Sequence, residues 1–474
     1  MNKKIDNPDN IYTQQVKNVV DLVYPIEAGL GSVYEDARHY FSVTPTLIDH
    51  INELNQKRDA LKDKESTRAD MLKKKLRSAK EKLESERQER LTRLEDVATK
   101  LLDLVDGDNY QETQVLSAKF LGTLMLQTRG PKSNFARQHQ RLKPLYKAVL
   151  TLRLADKLLE EQSISHPYLS QYREAKRRFE ADKYWKERYR SEFALPLIVA
   201  AIMQDIGLQH PDALNILRGE DGDKDEFRLL EEDQRKPLLK LNYQHTMDYL
   251  KTGLGLPAYI GNNKEERDEF VKKKKAAHQF MTQVVQDAYI SKSGIGELLK
   301  IPQIYVSIVL STKSDYTRKS LPKAYLLIEQ LAKKGSLNTK LAEAFISIVG
   351  YFPQGFGITF IPKNERGQER DQYELAIVTR LNPSNPAEPV CRVTSRSLQY
   401  ICSGNDETIG KSVNLYFPAN RKKLMRMGKE RLTEIMSQLS GDFNPEDVDE
   451  LVPSYWEPHD YFGFKKNQNL WNKN

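Results

Sequence analysis

Cysteine is almost absent from this 474-residue chain: only Cys391 and Cys402 are present. That excludes a disulfide framework and a multi-cysteine zinc site, and the expected setting is cytoplasmic, with reduced thiols. No stretch reaches the roughly 18 consecutive apolar residues that a membrane helix needs. Behind Lys3 and Lys4 there is no apolar run, so a secretory leader is not expected. Walker A, Gly-x-Gly-x-x-Gly after a strand, Gly-x-Ser-x-Gly and His-Glu-x-x-His patterns are all missing, which removes the phosphate-loop, dinucleotide, serine-hydrolase and zincin chemistries. No repeat of solenoid period occurs. The 39% hydrophobic content lies below the roughly 45–50% of average domains, while charge is higher than usual at 30%. A core plus a long solvated, charged element fits both figures. Lys and Arg number 74 against 66 Asp and Glu. This balance suits an anionic ligand without identifying one.

Composition divides the chain into six segments. Residues 1–45 combine Val19, Val20, Leu22, Val23 and Tyr24 with Pro25, Gly29 and Gly31, a small folded lead-in. In 46–106, apolar residues recur at helical steps through Leu47, Ile51, Leu54 and Leu61, then Leu72, Leu76, Ala79 and Leu83, then Leu91, Leu94, Ala98, Leu101 and Val105. No Gly or Pro interrupts this run before Gly107, which predicts one long charged, coiled-coil-like helix. Its stripe is broken at Arg58, Glu65 and Glu86 and shifts phase between Leu83 and Leu91. Self-association or a protein partner is expected along it. Within 52–100, 15 basic and 11 acidic residues are intermixed. So even a balance leaves little net field for nucleic acid, and a solvated face of i to i+4 pairs is the simpler reading.

Residues 107–192 are expected to be a helical connector and 193–352, the most apolar part, the main helical domain. In 353–420, short runs such as Ile358-Thr359-Phe360, Leu375 to Val378, Val390 to Val393 and Val413 to Phe417 alternate with turns such as Asn382-Pro383-Ser384-Asn385-Pro386. These predict a small β-rich module. Residues 421–474 supply a charged helix, Arg421 to Leu439, and a tail whose Trp456, Tyr461, Phe462, Phe464 and Trp471 are expected to dock.

The helix from Leu195 to Met203 ends in Gln204-Asp205-Ile206-Gly207. At this point the chain resembles the HD superfamily of metal-dependent phosphohydrolases, specifically its HD-GYP branch, where the helix ends His-Asp-Ile-Gly-Lys. Lys240 to His245 resembles the family's next motif helix. Ser293-Gly294-Ile295-Gly296 followed by Ile301-Pro302 resembles its Gly-Tyr-Pro loop. Asp315 to Ala324 and Gly350 to Gly355 resemble its later helices and closing turn, over roughly residues 170–395 in order. The resemblance implies a mainly α protein: an HD-domain-like helical bundle, preceded by the charged helix and followed by the β-rich module.

Where the family places metal ligands, this chain has Gln204, Asp205, Asn242, Gln286, Asp287 and Thr312. Amides and a hydroxyl cannot supply the charge and σ-donation of imidazoles, so the ligand set is expected to be degenerate, with no catalytic residue, metal or cofactor. His210, His245, His278, Asp287 and Asp315 could rebuild a centre only from new positions. His166 lies early, beside Pro167, and His39, His50, His139 and His459 carry no spacing signal. The resemblance implies that Arg318, Lys319 and Lys323 approach the phosphates of a cyclic dinucleotide. The expected function is therefore a bacterial signalling receptor or scaffold that binds a protein partner or cyclic di-GMP without hydrolysing it. A divergent metal-dependent phosphodiesterase is the alternative, and a basic nucleic-acid-binding protein ranks last.

Overall fold

The computed structural model describes residues 8–27, 29, 31–61, 67–180, 182–397, 399–424, 430, 433–434, 437 and 452–472. The fold is mainly helical, with a small antiparallel sheet towards the C-terminal end. Among the described residues no helix is long and apolar enough to cross a membrane. Contacts divide the chain into two interleaved units. One holds Met1–Asn18, Asp103–Ser163 and Ile301–Asn474, the other Val19–Leu102 and Ile164–Lys300. The segments 107–192 and 193–352 are thus each shared between the units, because composition follows the chain whereas packing follows contact.

In the first unit, the helix Phe135–Glu160 is buried along most of its length from Leu142 to Leu159. It tolerates Pro144 internally and packs against the helix Thr339–Val349. The sheet runs in the order β1 (Gly357–Phe360), β2 (Glu374–Val378), β3 (Val390–Val393) and β6 (Asp406–Thr408). A separate hairpin joins β4 (Ser395–Arg396) to β5 (Gln399–Tyr400). Ile358 lies opposite Ala376 and Ile377 opposite Arg392, and every residue of β1 and β2 is buried. Cys391, in β3, is a fully buried core thiol.

The run Val413 to Phe417 departs from expectation, since it pairs with β1 through one bridge, Asn414 opposite Phe360, and is otherwise a turn. The Asn414 side chain accepts the Tyr416 N–H at 2.9 Å, a local bond that competes with a sheet ladder. Docking of the tail holds for Tyr461, Phe462 and Trp471, which pack with Leu126 and Ile377. Phe464 is the exception, at 63% exposure. Trp471 also donates its indole N–H to the Thr379 carbonyl at 3.0 Å. A Cβ on Gly122 would overlap the Trp471 ring, so that helix position has room only for hydrogen. Of the expected charged helix, Pro418–Leu424 is present; most of the remainder to Leu439 lies outside the described residues.

The second unit corrects the single long helix expected over 46–106. One helix, Thr44–Asp59, ends where the Ala60 N–H bonds the Gln56 carbonyl at 3.0 Å, and a second spans Thr67–Val105. Ile51 and Leu54 then pack on Leu76, flanked by Leu47, Leu72, Ala79 and Leu83. Folding back lets two narrow stripes cover each other within the chain, so this seam is not a free surface for a second copy. The charged face is likewise only partly solvated. Arg77–Glu81 is an exposed i, i+4 pair at 2.8 Å, but Arg90 is buried and donates to the Gly253 carbonyl at 2.7 Å. Arg93 pairs with Asp36 at 2.7 Å.

Candidate functional site

The helix Leu195–Met203 is buried almost throughout and packs against the helix Lys264–Tyr289. It stops at Gln204, and a tight turn, Ile206–Gln209, lies against the helix Glu232–Asp248. Gly207 is required there by close approach: a Cβ would overlap the Asn242 carbonyl and the Thr246 backbone. The missing Cβ lets two backbones touch. Its N–H bonds the Thr246 hydroxyl at 3.0 Å.

This contact brings Gln204, Asp205 and Asn242 together. Asn242 donates its amide N–H to Asp205 Oδ1 at 3.3 Å and to the Tyr289 hydroxyl at 2.9 Å. Tyr289 in turn donates to the Gln204 carbonyl. Burial, and then the negative charge of Asp205, push the Tyr289 phenol well above its ordinary pKa, so it remains a neutral donor. Thr246 closes the knot by bonding Asn242 Oδ1 at 3.3 Å. The Gln204 side chain is buried and its Oε1 has no hydrogen-bond partner. Tyr289, which fills the space beside Asp205, was not singled out from sequence, although it follows Asp287 by one half-turn.

Asp287 has a different task. Its carboxylate accepts backbone N–H groups from Lys292 at 2.6 Å, Ser293 at 2.7 Å and Gly296 at 2.8 Å, tying down the loop after the helix. Burial raises its pKa, but the three N–H donors outweigh it and hold the carboxyl below its ordinary value. The folded pKa is depressed, so this contribution is present above the ordinary carboxyl range and is lost as pH falls below about 4. Asp287→Asn turns an amide NH₂ towards one of the N–H donors. We expect a loss of about 2 kcal/mol, since hydrogen bonds to charged groups contribute roughly 1.5–3. Amide hydrogen exchange should accelerate across residues 291–297, and unchanged exchange there would show that the carboxylate does not hold the loop.

Beside Asp287 lies a surface cleft of about 590 Å³, lined by Lys251, His278, Gln283, Gln286, Lys292 and Ser293 among others. One face of the helix Lys264–Tyr289 forms its floor. His166, set aside in the sequence because of its position, reaches this helix: its ring lies 5.9 Å from that of Phe280, and Gln283 hydrogen-bonds it. His210 and His245 stack on each other.

Thr312, Asp315, Arg318, Lys319 and Lys323 belong to the first unit, whereas Gln204, Asp205, Asn242, Gln286 and Asp287 belong to the second. Asp315, Lys319 and Lys323 are exposed. Arg318 is buried, bonds Glu457 at 2.6 Å and the Thr128 carbonyl at 2.9 Å, and stacks on Phe135. The phosphate role expected of Arg318 is therefore corrected: its guanidinium is committed to an internal pair with Glu457, whose pKa, against the opposing effect of burial, is held down to about 2 by the hydrogen bond to His459 and then by the charge of Arg318. No family model, curated protein or solved structure matches this chain.

Proposed function

We propose that the chain is a signalling receptor or scaffold built on a degenerate HD-GYP-like helical frame, which binds an anionic nucleotide of the cyclic di-GMP class without hydrolysing it. The observation that carries this reading is the knot around Asp205. The resemblance assigns metal ligands to Gln204, Asp205 and Asn242, and these residues do converge, but on a neutral amide and a phenol. A two-metal hydrolase needs several anionic or imidazole donors around each ion to activate water. One carboxylate facing Asn242 and Tyr289 offers too few.

The binding half of the proposal rests on the neighbouring cleft. Its volume falls within the roughly 300–1,000 Å³ of ligand sites. Lys251 and Lys292 bring ammonium groups, Gln279, Gln283 and Gln286 amides, and Thr282 and Ser293 hydroxyls. Such a lining suits phosphate oxygens and base edges.

Calorimetric titration of cyclic di-GMP into the full chain, with chromatography of the same mixture, tests both halves. Expected are saturable binding, at least tenfold weaker in the Lys251→Glu/Lys292→Glu double variant, and no linear product. Turnover that disappears in Asp205→Asn would overturn the non-hydrolytic reading. Absence of binding would remove the nucleotide and leave the scaffold.

A further inference from the structure

His210 and His245 come from different elements yet face each other with ring centroids 3.4 Å apart and an interplanar angle of 4°. His210 precedes the helix Pro211–Arg218, and His245 lies in the last turn of the helix Glu232–Asp248. Asp212 adds a carboxylate 3.7 Å from His210 Nδ1. One ligand atom from each of the three residues lies within 4.8 Å of the others. Phe41 packs edge-on against both rings, at 5.2 Å and 5.8 Å.

We infer that His210, Asp212 and His245 form a binding site for a divalent transition-metal ion of the Zn²⁺ class, separate from the Asp205 corner. Two imidazoles and a carboxylate are a borderline donor set, which favours Zn²⁺ over the hard, oxygen-seeking Mg²⁺ and Ca²⁺. Ligand bonds of about 2.0–2.2 Å place donors roughly 3.4 Å apart in a tetrahedron. An imidazole lone pair lies in the plane of its ring and these two planes are parallel, so ligation turns one ring out of the stack while the donor atoms, already within 4.8 Å of one another, close up. The His210 side chain is 20% exposed and that of Asp212 64%, which gives an ion a route in and leaves a fourth position for water. Asp248, one turn beyond His245, adds negative potential to both rings.

The ion would couple the start of the helix Pro211–Arg218 to the last turn of the helix Glu232–Asp248. Without the ion, His210 Nδ1 accepts the Asp212 N–H at 3.2 Å and caps the helix. Capping and ligation through Nδ1 exclude one another, so the site exchanges one fastening for another.

Zn²⁺ titrated calorimetrically into chelator-treated full-length protein provides the test, with Co²⁺ absorption as a second readout of four-coordinate N/O ligation. We expect one equivalent bound and at least tenfold weaker affinity in His245→Gln and in His210→Asn, the latter chosen because Asn keeps the helix cap. Asp205→Asn should bind as the unsubstituted chain does. Binding no tighter than that of the His210→Asn/His245→Gln double variant overturns the inference and leaves the receptor reading standing. Stoichiometric binding abolished by Asp205→Asn alone overturns both.

Discussion

Lowering the pH from 7 to 4 should destabilise the first unit by about 3 kcal/mol through a single side chain, His139. The residue is fully buried in the helix Phe135–Glu160, where its Nδ1 meets the Ser311 carbonyl at 2.6 Å and its Nε2 has no partner. Burial is the main reason its pKa falls from 6.5 to about 4, and the nearby positive charge of Arg318 acts in the same direction, against the bond to Ser311. The unfolded chain takes up a proton near pH 6.5 and the folded chain only near 4, so unfolding gains protons throughout that window. Stability from the neutral ring is full above pH 6.5 and is lost as pH falls towards 4. At 1.36 kcal/mol per unit the difference is roughly 3 kcal/mol. Chemical denaturation at a series of pH values should show this slope. In His139→Gln, which keeps a donor for Ser311, the slope should shrink by that amount, and an unchanged slope would assign the effect to other groups.

The second large effect is expected at the far end of the chain. Trp471→Ala should cost about 3–5 kcal/mol, the range for emptying a buried aromatic site. The ring is 4% exposed, touches the gap left by Gly122, and packs with Leu126, Ile377 and Phe462. Removing the indole also removes its N–H bond to the Thr379 carbonyl, which keeps only the longer bond from Arg380 at 3.3 Å. Fluorescence of Trp456, which belongs to the same unit, follows the denaturation midpoint in the variant. Trp471→Phe should retain more than half of the stability because it refills much of the volume. If Trp471→Ala shifts the midpoint by less than 1 kcal/mol, the tail is a cover and not part of the core.

These two sites differ in how visible they were. Trp471 was legible as one of several aromatics in a polar tail, although nothing in its neighbours separated it from Phe464, which faces solvent. His139 carried no signal, since a histidine between Gln138 and Gln140 is ordinary in a polar helix turn and its burial arises from Phe135 one turn earlier and from Ser311 and Tyr316, distant in sequence. At the candidate site, the order of motifs singled out Gln204, Asp205 and Asn242, and the structure brings the turn after Met203 against the helix that carries Asn242. Periodicity could not reveal that Tyr289 would occupy the space between them, that Asp287 would hold its own loop, or that Arg318 would be paired with a glutamate in the tail. These choices are made by residues distant in sequence. The break after Asp59 belongs to the same class: no Gly or Pro marks it, and the helix gives way because two stripes bury more surface folded together than extended.

By itself, the sequence determined that the chain is mainly helical and where the three strands β1, β2 and β3 run, because apolar spacing and turn chemistry act within a few residues. It also determined that the positions around Asp205 lack imidazoles, since that is a matter of composition. Only the tertiary structure decided what those positions do instead, joining Asn242 to Asp205, Arg318 to Glu457 and His210 to His245. The reason is physical: burial, a hydrogen-bond partner and a neighbouring charge fix the state of a side chain, and all three come from parts of the chain that local pattern does not see.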